Sequence, residues 1–360
     1  MSVAATPAVA RAVAALPPGP ALIYDLGVVR TRMVRAHAAA HAAGVELLYA
    51  VKAFPLPDAV ALAVEHLDGL DVAGPEEQAA ALALPSTTVS VTWPGEVDRA
   101  ALAALAARHR VTVVCETRDQ VAAATTVAGV AVAVRLAEGA DSRFGVGADE
   151  LRALAAAGDG RVRALHVHGG PLATSTATLA QRARRAYAAA ADAGIALEQL
   201  DLGGSLQGFA LEHATSGGAT LADALRAARA EVPAAVRLLF EPGRLWTEGA
   251  GFASGRVLAA REVGGRPARV LELSRLCHLR WSTPRLVAPP PRPGESRATV
   301  VLLGATCCED DVIGDARVPP EHVGALAVGA RVIVAGVSGY AVGWNRAFAG
   351  VPAARVVTVA

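Results

Sequence analysis

Lysine is almost missing from this chain: of its 34 Lys and Arg residues only Lys52 is a lysine. The heavy use of Ala and Arg is the kind of skew that a GC-rich genome imposes, and against that background a single retained lysine is informative. Net charge is also lacking. A formal +1 offers no electrostatic footprint for nucleic acid or an anionic membrane surface, so a small molecule is the expected partner. Cysteine is sparse. Four residues, two of them adjacent at Cys307 and Cys308, make neither a disulfide framework for this length nor a CxxC zinc pattern, and they fit a reducing, cytoplasmic setting. No run of 18 apolar residues occurs, and the Ala-rich start lacks a basic segment followed by a long Leu/Val run. A soluble protein without a membrane partner is therefore expected.

What is present points to two domains. A length of 360 residues with 53% hydrophobic content suits a barrel of about 250 residues plus a domain of about 100. From Leu47 to Arg244, β-rich runs alternate with Ala-rich helical stretches, the sequence form of repeated βα units. The runs are Leu47–Lys52, Leu70–Ala73, Val89–Trp93, Val111–Cys115, Val130–Leu136, Ala164–His168, Leu197–Gly203 and Arg237–Gly243. Eight strands are what a closed (β/α)8 TIM-type barrel needs. Segments such as Ala100–Arg108 and Thr174–Ala193 supply strong helix formers between them, and a helix over Val28–Ala43 precedes the first strand. After Arg244 strand-like runs at Arg256–Ala260, Arg269–Leu273, Ala298–Leu303 and Arg331–Val337 follow without long helices, and they predict an antiparallel β domain. The prolines of Pro284–Pro293 predict a surface excursion between strands, because each removes a ladder donor. The expected division is 25–245 for the α/β barrel and 246–360 for the β domain, with residues 1–24 a candidate extra strand of the latter.

In barrels of this kind reactive groups sit where strands end and βα loops begin. Lys52 stands at that place on the first strand. There partial desolvation lowers an amine's pKa and favours a Schiff base with an aldehyde, although a lysine snorkelling at a strand end is an equally simple reading of YAVKA alone. The loops after the seventh and eighth strands break the tie, because barrels bind phosphate there. Gly203, Gly204 and Ser205 allow close backbone approach after the seventh; Gly243 and Arg244 add a cation after the eighth. Glu241 in FEPGR would keep a pyridine nitrogen protonated and so make the ring an electron sink. His168 in LHVHG would stack on the ring's other face or, more simply, be a satisfied core histidine.

Taken in order, YAVKA, GLDVAGPEE, DSRFG, LHVHGG, DLGGS and FEPGR resemble the motifs of the fold-type III pyridoxal-phosphate (PLP) decarboxylases of the ornithine and diaminopimelate type, an alanine-racemase-like barrel family. GATCCEDD and SGYAVGWNRAF resemble that family's C-terminal segments. The resemblance implies a PLP cofactor, an obligate homodimer with shared active sites, Cys307 and Asp311 reaching into the partner subunit's site, and Tyr340 on the phosphate. Lys52 and Cys307 become candidate proton donors to Cα. The chain departs from the family pattern at Ser205 for a third glycine, at Pro171 for a phosphate-side Ser and at Gly74 for a Ser.

The departure with most consequence is Cys308, where decarboxylases of basic amino acids place an acid for the distal ammonium. A thiol cannot offset the burial of an ammonium, which costs several kcal/mol unless paired. Arg280 lies in a segment resembling the family's substrate-carboxylate arginine. The expected activity is therefore decarboxylation of an amino acid without a distal ammonium group. A racemase or epimerase of the same fold is the alternative that Glu241 opposes, since weak electron withdrawal there usually uses an arginine. A decarboxylase of ornithine or diaminopimelate type is the alternative that requires Glu309 to replace the missing acid. No metal is expected, although His278 beside Cys277 leaves a metal-assisted reaction open.

Overall fold

The computed structural model describes residues 4–139, 141–168, 175–211, 219–287 and 297–360. The chain divides into two compact units, one made of residues 1–30, 53–56 and 246–360 and the other of 31–52 and 57–245.

The second of these is a closed eight-stranded parallel barrel. Its strands are β2 (Glu46–Ala50), β3 (Gly69–Val72), β4 (Thr88–Thr92), β5 (Arg110–Cys115), β6 (Val130–Leu136), β7 (Val162–Val167), β8 (Gln199–Asp201) and β9 (Arg237–Phe240), numbered after β1 (Ala21–Asp25) of the other unit. All eight expected strands are present, several shorter than expected. The run to Lys52 stops at Ala50, with Lys52 in a 3-10 turn over Val51–Ala53; the run to Gly203 stops at Asp201 and that to Gly243 at Phe240. In each case the polar or glycine-bearing end leaves the ladder and becomes the loop. The strands are buried almost throughout, which explains their near-continuous apolar character in a parallel sheet covered on both faces.

The barrel closes where β2 pairs with β9. Arg237 Nε donates to Glu46 Oε1 at 2.7 Å across this seam, and its Nη1 donates to Gln199 Oε1 at 2.7 Å. Thr112 Oγ1 reaches the same Gln199 oxygen at 3.3 Å. Helices of the barrel begin on side-chain caps: Thr117 with Gln120 and Thr220 with Asp223 form reciprocal capping boxes, and Asp98 accepts from two backbone amides. Each cap satisfies amides that a helix start leaves without partners. The helix expected over Val28–Ala43 runs Leu26–Ala43, and the one expected over Thr174–Ala193 runs Thr176–Asp192, Thr174 lying outside the described residues.

The other unit holds an eight-stranded sheet: β10 (Gly251–Val263), β11 (Arg266–Leu271), β12 (Arg285–Leu286), β13 (Ala298–Leu303), β14 (Val312–Val318), β15 (Arg331–Ala335) and β16 (Arg355–Val359), together with β1. The order β12-β15-β10-β11-β13-β14 is mostly antiparallel. Two pairings are parallel, however, β1 with β16 and β11 with β13, so the sheet is mixed rather than purely antiparallel. The expected extra strand before residue 25 is β1, which sits between β10 and β16. The 13-residue β10 pairs with β1, β15 and β11, switching partners along its length past an irregularity between Val257 and Ala259. Patterning could not anticipate such a strand, because different stretches of it serve different neighbours. A helix over Pro7–Ala15, capped by Thr6, packs Val9 and Val13 against Ala21, Ile23, Phe252 and Ala335. Within Pro284–Pro293, Arg285 and Leu286 pair with β15; residues 288–293 lie outside the described residues.

Candidate active site

Lys52 occupies the turn that follows β2. Its ammonium forms an ion pair with Asp71, which is fully buried on β3. Asp71 was not anticipated as a site residue. An acid in the middle of the apolar run LDV was its one visible signal, since a charge is rarely buried without a partner. Its second oxygen, Oδ1, has no hydrogen-bond partner among the described residues.

The strand next to β2 in the closed barrel, β9, ends at Phe240 and delivers Glu241, 1% exposed. The alternation of β7 puts His166 on the same side as His168 two residues later. His166 Nε2 and His168 Nδ1 each lie 3.3 Å from Glu241 Oε2. His166, fully buried, was missed as a member of this cluster; the HVH spacing carried the signal. Burial holds the His166 imidazole below its usual pKa, so it is neutral and donates from Nε2 to the carboxylate. Burial alone would push Glu241 up, but the hydrogen bonds of His166 and His168 and the charge of Lys52 hold it well below the usual carboxylate range. Asp201, at the end of β8, behaves in the opposite way. Burial, then the neighbouring Glu241 charge, raises it well above the ordinary value. Two buried carboxyls close together cannot both ionise, so Asp201 keeps the proton and Glu241 the charge.

The glycine turn is built on Asp201. Gly203 N–H donates to Asp201 Oδ1 at 2.8 Å, and Glu241 N–H donates to Gly203 O at 2.8 Å. Gly203 has φ +64, and a Cβ there would fall 2.6 Å from the His168 ring. Ser205, with φ +73, keeps a glycine-type conformation although the third glycine is gone. Arg135, buried at the end of β6, pairs with Glu116 at 3.1 Å, donates from Nη2 to the His168 carbonyl at 2.8 Å and lies 4.6 Å from the Phe144 ring centroid. This arginine, also missed, holds the backbone on which His168 is carried. Gly243 and Arg244 follow Glu241 after Pro242, Arg244 exposed at the start of a 3-10 turn. Pro171 lies outside the described residues.

The remaining expected residues belong to the other unit. Arg280 and Tyr340 sit in one cluster of rings: the Arg280 guanidinium lies 4.7 Å from the Trp344 centroid, and Trp281 meets Tyr340 edge-on at 5.0 Å. Cys307 is exposed and Cys308 partly so. They ride on a loop held by Asp311, buried to 3%. Its Oδ1 accepts from Arg275 N–H at 2.7 Å, and its Oδ2 accepts from Thr306 N–H at 3.0 Å and Thr306 Oγ1 at 2.7 Å. Glu309 is exposed. His278 Nδ1 accepts from Ser274 N–H at 3.1 Å and Nε2 donates to Pro352 O at 2.9 Å, which leaves neither nitrogen for a metal shared with Cys277. Among the described residues His166, His168 and Glu241 bring ligand-type atoms within 4.8 Å of one another, here spent on two imidazole-to-carboxylate contacts.

This donor set fits one kind of cofactor. It offers a primary amine, a buried anionic carboxylate whose Oε1 has no hydrogen-bond partner among the described residues, and a glycine turn that packs against the His168 ring and the Glu241 backbone where a Cβ would crowd them. The sequence profile of the family described as pyridoxal-dependent decarboxylase, pyridoxal binding domain, matches residues 26–248, more than half of the chain.

The chain belongs to the pyridoxal-dependent decarboxylases.

It is an enzyme, a PLP-dependent carboxy-lyase acting on an amino acid. Compared by sequence with curated proteins, this decarboxylase matches none. Solved structures share its fold. The arginine decarboxylase of Paramecium bursaria Chlorella virus bound to agmatine is 18% identical with a TM-score of 0.76, over 96% of this chain and 97% of that one. The lysine/ornithine decarboxylase of Vibrio vulnificus complexed with cadaverine is 20% identical with a TM-score of 0.75, over 97% of both. A diaminopimelate decarboxylase variant of Helicobacter pylori complexed with L-lysine is 17% identical with a TM-score of 0.77, over 98% and 94%. Among the described residues no helix is long and apolar enough to cross a membrane.

Proposed function

We propose that this enzyme decarboxylates an amino acid whose side chain ends in a neutral or acidic group, with Lys52 as the amine that holds the cofactor. The observation that carries this reading is the buried, anionic Glu241 with one oxygen left over, in the same barrel as the chain's single lysine. PLP, when bound, supplies a protonated pyridine ring that takes up the electron pair released as the Cα–carboxylate bond breaks. Glu241 holds the proton on that ring nitrogen, and His166 and His168 keep the carboxylate ionised and fixed. His168 also covers a ring face. Gly203, Gly204, Ser205, Gly243 and Arg244 receive the phosphate, with Tyr340 as a further contact. Asp71 orients the Lys52 amine.

Lys52 and Cys307 are the groups that return a proton to Cα. Cys307 and Cys308 complete the site of a second copy in a homodimer, and Asp311 serves that site by holding their loop. The functional partition is a cofactor barrel of residues 25–245 and a β domain of 246–360, and the free thiols suit a reducing, cytoplasmic setting. Arg280 receives a substrate carboxylate. The thiol of Cys308 offers nothing to a distal ammonium, which supports the neutral or acidic side chain. The second reading, a decarboxylase of diamino acids, draws on the substrates named for the similar structures and requires the exposed Glu309 to turn inward.

Two measurements test these readings. Borohydride treatment of the yellow holoenzyme should fix the cofactor on Lys52, and Lys52→Ala should lower turnover by about 10³-fold or more while leaving the fold intact; label elsewhere in the peptide map would overturn the assignment. CO2 release from ornithine, lysine and diaminopimelate, compared with glutamate-like and apolar amino acids, decides the substrate class. Robust activity on any of the first three would overturn the reading of Cys308.

A further inference from the structure

We infer that Trp344 and Trp281 set the substrate class: Trp344 holds the Arg280 guanidinium flat for a carboxylate at the far end of the substrate, and Trp281 walls the side chain leading to it. This rests on the proposal that Arg280 faces the substrate. Neither tryptophan was expected as a site residue.

Aromatic residues are only 4% of the chain and tryptophan occurs four times, yet two tryptophans and Tyr340 share one cluster. Trp281 is 48% exposed and Trp344 37%. Their rings meet edge to face at 5.7 Å and 69°, and Trp281 stands at 77° to Tyr340. Large rings left in water are the residues a folded chain tends to cover, and a cluster of them marks a surface with something to bind. The backbone adds a second sign. Trp281 has φ +56, a left-handed conformation that a bulky residue rarely adopts and that persists only where its surroundings impose it. The surroundings do: Ser282 N–H donates to Leu279 O, Thr283 N–H to Gly336 O and Ser338 N–H to Ser282 Oγ, while Leu279 and Ser282 on either side are buried. The turn thus spends conformational energy to stand an indole in solvent beside Arg280.

Arg280 supplies the chemistry. Its guanidinium carbon lies over the Trp344 ring, 4.7 Å from the centroid, a cation–π contact that covers one side of the charged group. Among the described residues no carboxylate or carbonyl accepts a hydrogen bond from Arg280. A stacked guanidinium keeps its N–H edge for in-plane, bidentate contact with a carboxylate, a geometry lysine does not reproduce. A diamine would meet a like charge there. The substrate that fits both halves is an amino acid bearing a terminal carboxylate on an apolar stem long enough to lie along Trp281.

The test uses the PLP-loaded enzyme with adipate, a dicarboxylate without an amino group, as probe, its binding read by tryptophan fluorescence and calorimetry. Adipate should bind the unaltered enzyme, and Trp344→Ala should weaken it about tenfold, with Trp344→Phe recovering most of the loss because a ring face is restored. Trp281→Gly suits the left-handed backbone, so it should weaken adipate without lowering Tm. For L-2-aminoadipate the same variants should lose kcat/KM through KM. Adipate binding indifferent to both tryptophans would overturn the inference, as would a purely oligomeric effect of the variants, which would make the cluster a contact between copies. Adipate binding needs no decarboxylation, so it would survive a failure of the Lys52 assignment. CO2 release from other amino acids without adipate binding would sink this inference alone.

Discussion

Glu241 and Asp311 are both buried acids, at 1% and 3% exposure, and they are employed in opposite ways. Asp311 has both oxygens occupied by the amides and hydroxyl of its own neighbourhood. Glu241 has one oxygen shared by two imidazoles and another with no hydrogen bond among the described residues. Folding has filled the first acid with donors of its own loop, whereas the second is held by two imidazoles beside a further buried carboxyl, Asp201. Burial and charge alone therefore do not mark a functional carboxylate; the kind of partner, titratable side chains instead of backbone amides, separates these two.

The sharpest way to break this comparison is to neutralise each acid. Glu241→Gln should reduce kcat by about 10²-fold or more while cofactor affinity changes little, because the amide cannot hold a proton on the ring nitrogen. Arg244→Ala should reverse the pattern, losing cofactor affinity about tenfold at nearly unchanged kcat. Equal behaviour of the two variants in kinetics and cofactor titration would dissolve the separation of roles.

Asp311→Ala should act on folding instead. It strands two amides and a hydroxyl at a site with little access to water, so a loss of about 2–4 kcal/mol in denaturant unfolding is expected. Turnover per folded molecule should fall less than for Glu241→Gln. A variant of wild-type stability would show that the loop does not depend on this acid.

A smaller effect separates the units by pH. Burial holds His278 below its usual pKa, so the folded state binds fewer protons than the unfolded chain near and below pH 6.5, and stability must fall as pH drops through that range. One such histidine contributes at most about 1.4 kcal/mol per pH unit. His109 and His166 are shifted in the same direction by burial and add to the slope. His278→Asn, whose carbonyl oxygen still accepts from Ser274, should flatten part of it in urea melts at pH 7.5, 6.5 and 5.5. An unchanged slope would assign the dependence to the barrel.

The smallest effect belongs to Ser205. Glycine adopts φ +73 at no steric cost, so Ser205→Gly should stabilise the turn by up to about 1 kcal/mol, raising Tm slightly and tightening cofactor binding if the serine only strains the turn. Weaker cofactor binding in this variant would mean that the hydroxyl itself is used.

The barrel was legible because its signals are local. Each strand is an apolar run bounded by helix formers, and a parallel barrel buries both faces of every strand, so eight runs read as eight strands. Lys52, Glu241, His168 and the glycine turn were legible as residues because strand ends in this architecture are where chemistry collects. Asp71, His166, Asp201 and Arg135 were not, since each sits inside a strand-like run and its meaning depends on what another strand places opposite it. The second sheet hid more. β14 and β16 are unremarkable in sequence, and β10 reads poorly because its successive stretches pair with different strands.

The sequence by itself determined the kind of molecule: spacing along a βα repeat dictates that a lone lysine at a strand end, a glycine turn and FEPGR reach one rim, and the resemblance of those motifs, in order, to the PLP decarboxylases implied the chemistry before any distance was known. Only the tertiary structure decided how charge is shared there. Whether Glu241 or Asp201 keeps the proton, whether Asp311 is open or spent, and whether Arg280 has an acceptor all depend on neighbours remote in sequence, and the desolvation and hydrogen bonding that settle a buried charge exist only once those neighbours are in place.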